Sequence, residues 1–139
     1  SAARFWWVMN YNRHRNIKVL DGGWRRWASE DLPVSFDPPR LNQNAAFTPR
    51  IDESLIVTLD DVMTGCSLAG VVNWDTRTAG EYDGAVTRRD QRKGHISGAV
   101  QLEWSDLMNR ETHRFKPPQE MRSILDSHGI TANKTISAY

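Results

Sequence analysis

The residues able to do chemistry are few. The only thiol is Cys66, within Thr64-Gly65-Cys66-Ser67. A cysteine attacks as its thiolate, which needs a nearby cation, a helix N-terminus or converging backbone N–H groups. No strand is expected before Cys66 and no cation cluster adjoins it, so it reads as an incidental small residue. Asp75 and Arg77 follow the apolar run Val71-Val72-Asn73-Trp74. Placed at the C-terminal end of a parallel strand, they would lie on the edge where open α/β sheets hold their sites. Two readings stand together there: an ion pair that supports or borders a site, and a structural cap with its salt bridge. Arg88, Arg89, Arg92 and Lys93 crowd a polar stretch before Gly94. Such a run attracts a small anion electrostatically, and it is also what a plain solvated loop contains. His95 sits between Gly94 and Gly98, whose backbone freedom suits a turn, and it is expected to be a structural histidine bonded to backbone. No residue in the chain is assigned as catalytic.

Several chemistries are excluded by spacing. A lone cysteine and scattered histidines give no paired metal ligands, and neither a glycine-rich phosphate loop nor a serine nucleophile elbow is present. No metal and no cofactor are therefore expected. The formal net charge of +1 gives no reason to expect nucleic acid or a membrane as partner. Hydrophobic residues at 39% and charged residues at 25% are the balance of a globular protein. One cysteine rules out an internal disulfide and leaves the compartment open; a cytoplasmic setting is expected, with the periplasm as the alternative. The run Phe5 to Met9 is too short for a membrane span and is soon followed by Asn10, Asn12 and Arg13. Ser1 at one end and the strand-like Ile136-Ser137-Ala138-Tyr139 at the other both read as cuts.

These residues need elements to hold them. Clustered apolar side chains over residues 1–15, with cations toward the end, predict a helix with one broad buried face. Ile17 to Leu20 reads as a short strand, and Asp21-Gly22-Gly23 precedes a helix starting near Trp24, capped by Asp21 or a nearby backbone group. Trp6, Trp7, Trp24 and Trp27 are expected in the core. Pro33 to Arg50 has no lasting periodicity and is the candidate boundary. Beyond it come a short helix over Leu59–Met63, a buried strand over 71–74 and a helical turn over Thr78–Tyr82. A strand over 99–102, a helix over 118–128 with Met121, Ile124 and Leu125 inward, and a last strand over 135–139 complete the order. Strands alternating with helices predict an α/β fold with a parallel sheet flanked by helices.

Three stretches, in order, resemble the rhodanese superfamily. Ala2-Ala3-Arg4-Phe5-Trp6-Trp7, then Val19-Leu20-Asp21-Gly22-Gly23-Trp24 with Trp27, then Leu32-Pro33-Val34, are similar to the closing half of the first domain of two-domain sulfurtransferases. Asp75-Thr76-Arg77 with Glu81-Tyr82 and Gly94-His95-Ile96-Ser97-Gly98-Ala99 resemble the opening half of the second domain, with Ser97 where proline is more usual. Leu102-Glu103-Trp104, Phe115-Lys116-Pro117 and Ile136 to Tyr139 resemble the continuation of that domain as far as the strand before its cysteine loop.

The resemblance implies a rhodanese-like fold in which the C-terminal part of a first domain (1–34) is joined by a linker (35–57) to the N-terminal part of a second, catalytic domain (58–139). It implies sulfur transfer from a small anionic donor to cyanide or a thiol through a cysteine persulfide. The family's cysteine loop comes after the strand that 136–139 resembles, so this chain alone is expected to be inactive and to leave apolar faces that favour self-association. Mercaptopyruvate-using relatives tend to carry an arginine where Glu81 stands, which favours thiosulfate as donor. A non-catalytic rhodanese-like binding or regulatory module is the alternative, and a phosphatase on the same fold a third reading.

Overall fold

The structure, a computed structural model, describes residues 1–40, 46–65, 68–87 and 92–139. The chain divides into two compact units, Ser1–Ile56 and Val57–Tyr139.

In the first unit, α1 (Ala2–Tyr11) starts at Ser1, whose hydroxyl accepts from the Arg4 N–H. Helix α2 (Gly23–Ser29) has Gly22 as its N-cap, with the backbone there in the left-handed region. Gly22 has φ 87, and a Cβ there would meet the Arg26 side chain at 2.6 Å, so glycine is required. The strand expected over Ile17–Leu20 is not formed. A strand needs a neighbour for its backbone groups, and the described residues of this unit contain none. The broad apolar face of α1 is not buried either: Phe5, Trp6, Trp7 and Val8 are exposed, as is Trp24, and the other described elements of this unit are the short helix α2 and one turn of 3-10 helix at Glu53–Leu55. Arg13 and Arg15 lie beyond the last turn of α1, and both reach the Asp52 carboxylate, at 3.9 and 2.8 Å. The Arg50 and Asp52 N–H groups donate to the carbonyls of Asn12 and Tyr11.

The second unit is α/β, as the alternation of elements predicted. Helix α3 (Leu59–Gly65) begins after Thr58, where the hydroxyl accepts from the Asp61 N–H and the Asp61 carboxylate accepts from the Thr58 N–H. Strand β1 (Val71–Asp75) is central in a parallel sheet of order β2-β1-β3, with β2 at Val100–Gln101 and β3 at Thr135–Ala138. Trp74 faces Val100 on one side of β1 and Ala138 on the other. Helix α4 (Ala79–Tyr82) has a reciprocal cap, in which Thr78 and Glu81 each satisfy the other's backbone N–H. Helix α5 (Pro118–Ser127) ends with Gly129 in the left-handed region at φ 71. Ile124 and Leu125 of α5 pack on a core of Val72, Leu102 and Ile130, together with Trp74, Val100 and Leu107.

No helix among the described residues is long and apolar enough to cross a membrane.

Candidate functional site at the carboxyl edge of the sheet

Strands β1, β2 and β3 run parallel, so their C-terminal ends share one edge. Asp75 closes β1 there and has no exposed surface. A lone buried carboxylate would be costly, and Arg77, two residues on, satisfies it. The guanidinium donates from Nε to both carboxylate oxygens, at 3.0 and 3.2 Å, and from Nη2 to Oδ2 at 2.6 Å. The Arg77 backbone N–H adds a bond to Oδ1 at 3.0 Å. Burial pushes the Asp75 carboxyl upward. Hydrogen bonds from the Arg77 side chain and backbone, a contribution from the Tyr139 hydroxyl and the charge of Arg77 outweigh it, so the group sits below the usual carboxylate range. The same partnership holds Arg77 above its ordinary value, Asp75 hydrogen bonding being the largest cause.

Arg77 also reaches across the edge. Its Nη2 donates to the Gly94 carbonyl at 3.0 Å, its own carbonyl accepts from Gln101 Nε2 at 3.0 Å, and its guanidinium carbon lies 5.4 Å from the centroid of the Tyr139 ring. Tyr139 continues β3 along the ladder, with its N–H on the Trp74 carbonyl and its carbonyl accepting the N–H and hydroxyl of Thr76. The Tyr139 hydroxyl accepts from the Ile96 N–H at 3.1 Å. Burial is the main reason that this phenol lies above its ordinary pKa.

His95 belongs to the same loop. Its Nδ1 donates to the Tyr82 carbonyl, 2.9 Å away, and its ring stacks on that of Tyr82 with centroids 3.5 Å apart. The Tyr82 hydroxyl donates to the Ala99 carbonyl at 2.9 Å. At the base of the loop, Gly84 (φ 76) approaches so closely that a Cβ would lie 3.1 Å from the Gly94 nitrogen.

Asp75, Arg77 and the loop of His95 are thus brought together. Arg92 and Lys93 lie exposed at the start of that loop. Cys66, Arg88 and Arg89 lie outside the described residues. The described neighbours of Cys66, Gly65 and Leu68, precede the beginning of β1, whereas Asp75 closes its other end. Tyr139 and Gln101 are site residues that side-chain type alone did not single out. The available signal was that two adjacent parallel strands end on one edge, which places Tyr139 beside Asp75.

Chemically the edge offers a paired, charge-neutral anchor and a cation-bearing loop tied to it. Among the described residues it holds no nucleophile.

No family model matches the chain. It is similar to thiosulfate sulfurtransferase of Gallus gallus, 28% identical over 137 residues, which span 99% of this chain and 47% of the relative. It is similar to 3-mercaptopyruvate sulfurtransferase of Mus musculus (28% over 140 residues, 99% and 46%) and to the sulfur carrier protein TtuD of Thermus thermophilus (29% over 150 residues, 99% and 52%). The chain spans about half the length of the curated relatives it matches. In fold it resembles EanB in complex with hercynine, with a TM-score of 0.81 at 23% identity over 98% of this chain and 34% of that one. The anaerobic ergothioneine biosynthesis enzyme from Chlorobium limicola matches equally, with a TM-score of 0.81 at 22% identity over 98% and 34%. The chain is thus similar to sulfurtransferases along nearly its whole sequence, and its fold, with a parallel α/β second unit, is rhodanese-like.

Proposed function

We propose that the chain is part of a sulfurtransferase that passes the sulfane sulfur of thiosulfate to cyanide or a thiol, through a cysteine on the loop after β3. The observation that carries this reading is the parallel ladder at Tyr139. The Tyr139 carbonyl bonds Thr76, so the backbone leaving β3 enters the sheet edge beside the Asp75–Arg77 pair. A loop starting there can point its N–H groups at a thiolate and hold it near neutral pH without a general base. In the first half-reaction the thiolate attacks the outer sulfur of thiosulfate; the S–S bond breaks and sulfite leaves with the electron pair. In the second, cyanide attacks the outer sulfur of the persulfide, giving thiocyanate and restoring the thiolate.

Two features support an anionic donor of this kind. Arg92 and Lys93 are exposed beside the edge, and Glu81, where mercaptopyruvate users tend to carry arginine, uses its carboxylate to accept from the Thr78 N–H and hydroxyl. The division proposed for the parent is a first domain closing at 1–34, a linker over 35–57 and a catalytic domain opening at 58–139. The exposed aromatic surface of α1 and α2 supports self-association of the chain in isolation.

The test is a thiocyanate assay on the intact protein with thiosulfate and cyanide. Turnover with thiosulfate that exceeds turnover with mercaptopyruvate is expected. A protein that binds neither donor and forms no thiocyanate belongs to the binding-module class instead.

A further inference from the structure

Tyr139 makes more connections at the sheet edge than closing a strand requires. Its backbone pairs with β1 through Trp74 and Thr76, which fixes where its side chain begins. Its ring lies 5.4 Å from the Arg77 guanidinium carbon, within the range in which a cation is held over an aromatic face. Its hydroxyl accepts the Ile96 N–H at 3.1 Å, across 43 residues of sequence. Arg77 reaches the same loop from the other side, through the Gly94 carbonyl at 3.0 Å. Segment 92–98 is therefore tied at Gly94 by Arg77 and at Ile96 by Tyr139. Between and just before those ties stand His95, Lys93 and Arg92.

From this juxtaposition we infer that Tyr139 is a positioning residue for the donor: it pins the 92–98 loop so that Arg92 and Lys93 face the anion arriving at the sheet edge. The inference rests on the sulfurtransferase reading. Tyr139 touches no reacting atom; it acts through the loop. Removing the hydroxyl frees the Ile96 N–H and lets the loop move, and it also takes away the hydroxyl's contribution to the Asp75–Arg77 pair, while the ring over Arg77 and the strand pairing stay. Donor binding weakens and the chemical step is spared.

The experiment compares Tyr139→Phe with the unaltered intact protein by two readouts. Amide hydrogen exchange at Ile96 is expected to accelerate about three- to tenfold, the effect of losing one hydrogen bond, with exchange at Val72 and Trp74 unchanged as the control for folding. KM for thiosulfate is expected to rise by a similar factor of about three to ten, with kcat nearly constant. Tyr139→Leu, which also removes the ring from Arg77, extends the same trend. Unchanged Ile96 exchange overturns the pin, and faster exchange with unchanged KM overturns its role in donor binding. An unaltered protein with no sulfurtransferase activity overturns the reading beneath the inference, a different outcome from either of these.

Discussion

Asp75→Ala is expected to destabilise the Val57–Tyr139 unit by about 3–5 kcal/mol, the range for breaking a buried ion pair by removing one partner. The size reflects the environment. Asp75 has no exposed surface, and it accepts four bonds from Arg77, three from the guanidinium and one from the backbone. Alanine takes from the guanidinium its carboxylate partner, leaving among the described residues the Gly94 carbonyl at 3.0 Å and the Tyr139 side chain. Asp75→Asn, which keeps the shape without the charge, is expected to cost less. Urea titrations followed by tryptophan fluorescence measure both, as shifts in midpoint at constant slope.

The same pair predicts a pH dependence. The folded carboxyl of Asp75 is depressed below its unfolded value, so its contribution is fully present above the unfolded pKa of about 3.9. It is lost as pH falls through the lower folded value. The gap in stability between the unaltered chain and Asp75→Ala is therefore expected to be widest near neutral pH and to narrow below about pH 4. A gap that stays constant into acid would mean that the carboxylate contributes packing alone.

Leu102→Ala carries the second large effect, about 2–5 kcal/mol from lost burial and the cavity left behind. Leu102 is only 3% exposed, and with Val72 and Ile130 it forms the buried cluster on which Ile124 and Leu125 of α5 rest. Its backbone is fixed from both directions, the N–H donating to the Asp75 carbonyl at 3.1 Å and the carbonyl accepting the Trp74 indole N–H at 2.8 Å. With little freedom to collapse, the site keeps most of the void. Leu102→Met, close in volume, is expected to cost less than about 1.5 kcal/mol. Thermal unfolding of the two variants separates the cavity effect from any general intolerance at this position.

The second unit was legible from sequence because its signals agree. Val71 to Trp74 is a short apolar run bounded by turn residues, and 118–128 has helical spacing closed by Gly129; both lie where expected. Thr58 and Thr78 announce the helices that they cap. The first unit was less legible. Ile17-Lys18-Val19-Leu20 has the composition of a strand, but a strand is a property of a pair, and composition does not supply the neighbour. The tryptophans of α1 and α2 look like core residues by type, yet burial depends on what covers them, and in this unit little does.

The site shows the same division. Asp75 and Arg77 stand two apart in the chain, so their pairing was a local inference. Tyr139 lies far from both in sequence and joins them only through the parallel register of β1 and β3, which side-chain type alone does not encode. Gln101 is a similar case, brought to Arg77 by the pairing of β1 with β2.

If the backbone leaving β3 carries a sulfur-accepting cysteine beside the Asp75–Arg77 pair, the full-length protein must hold sulfur there between the two half-reactions. Intact mass after incubation with thiosulfate and removal of excess donor, followed by peptide mapping, detects it. A gain of one sulfur atom is expected, located on a cysteine in the peptide after Tyr139 and discharged by cyanide. A protein that gains no sulfur, or gains it on Cys66, would refute the proposed sulfur transfer at this edge.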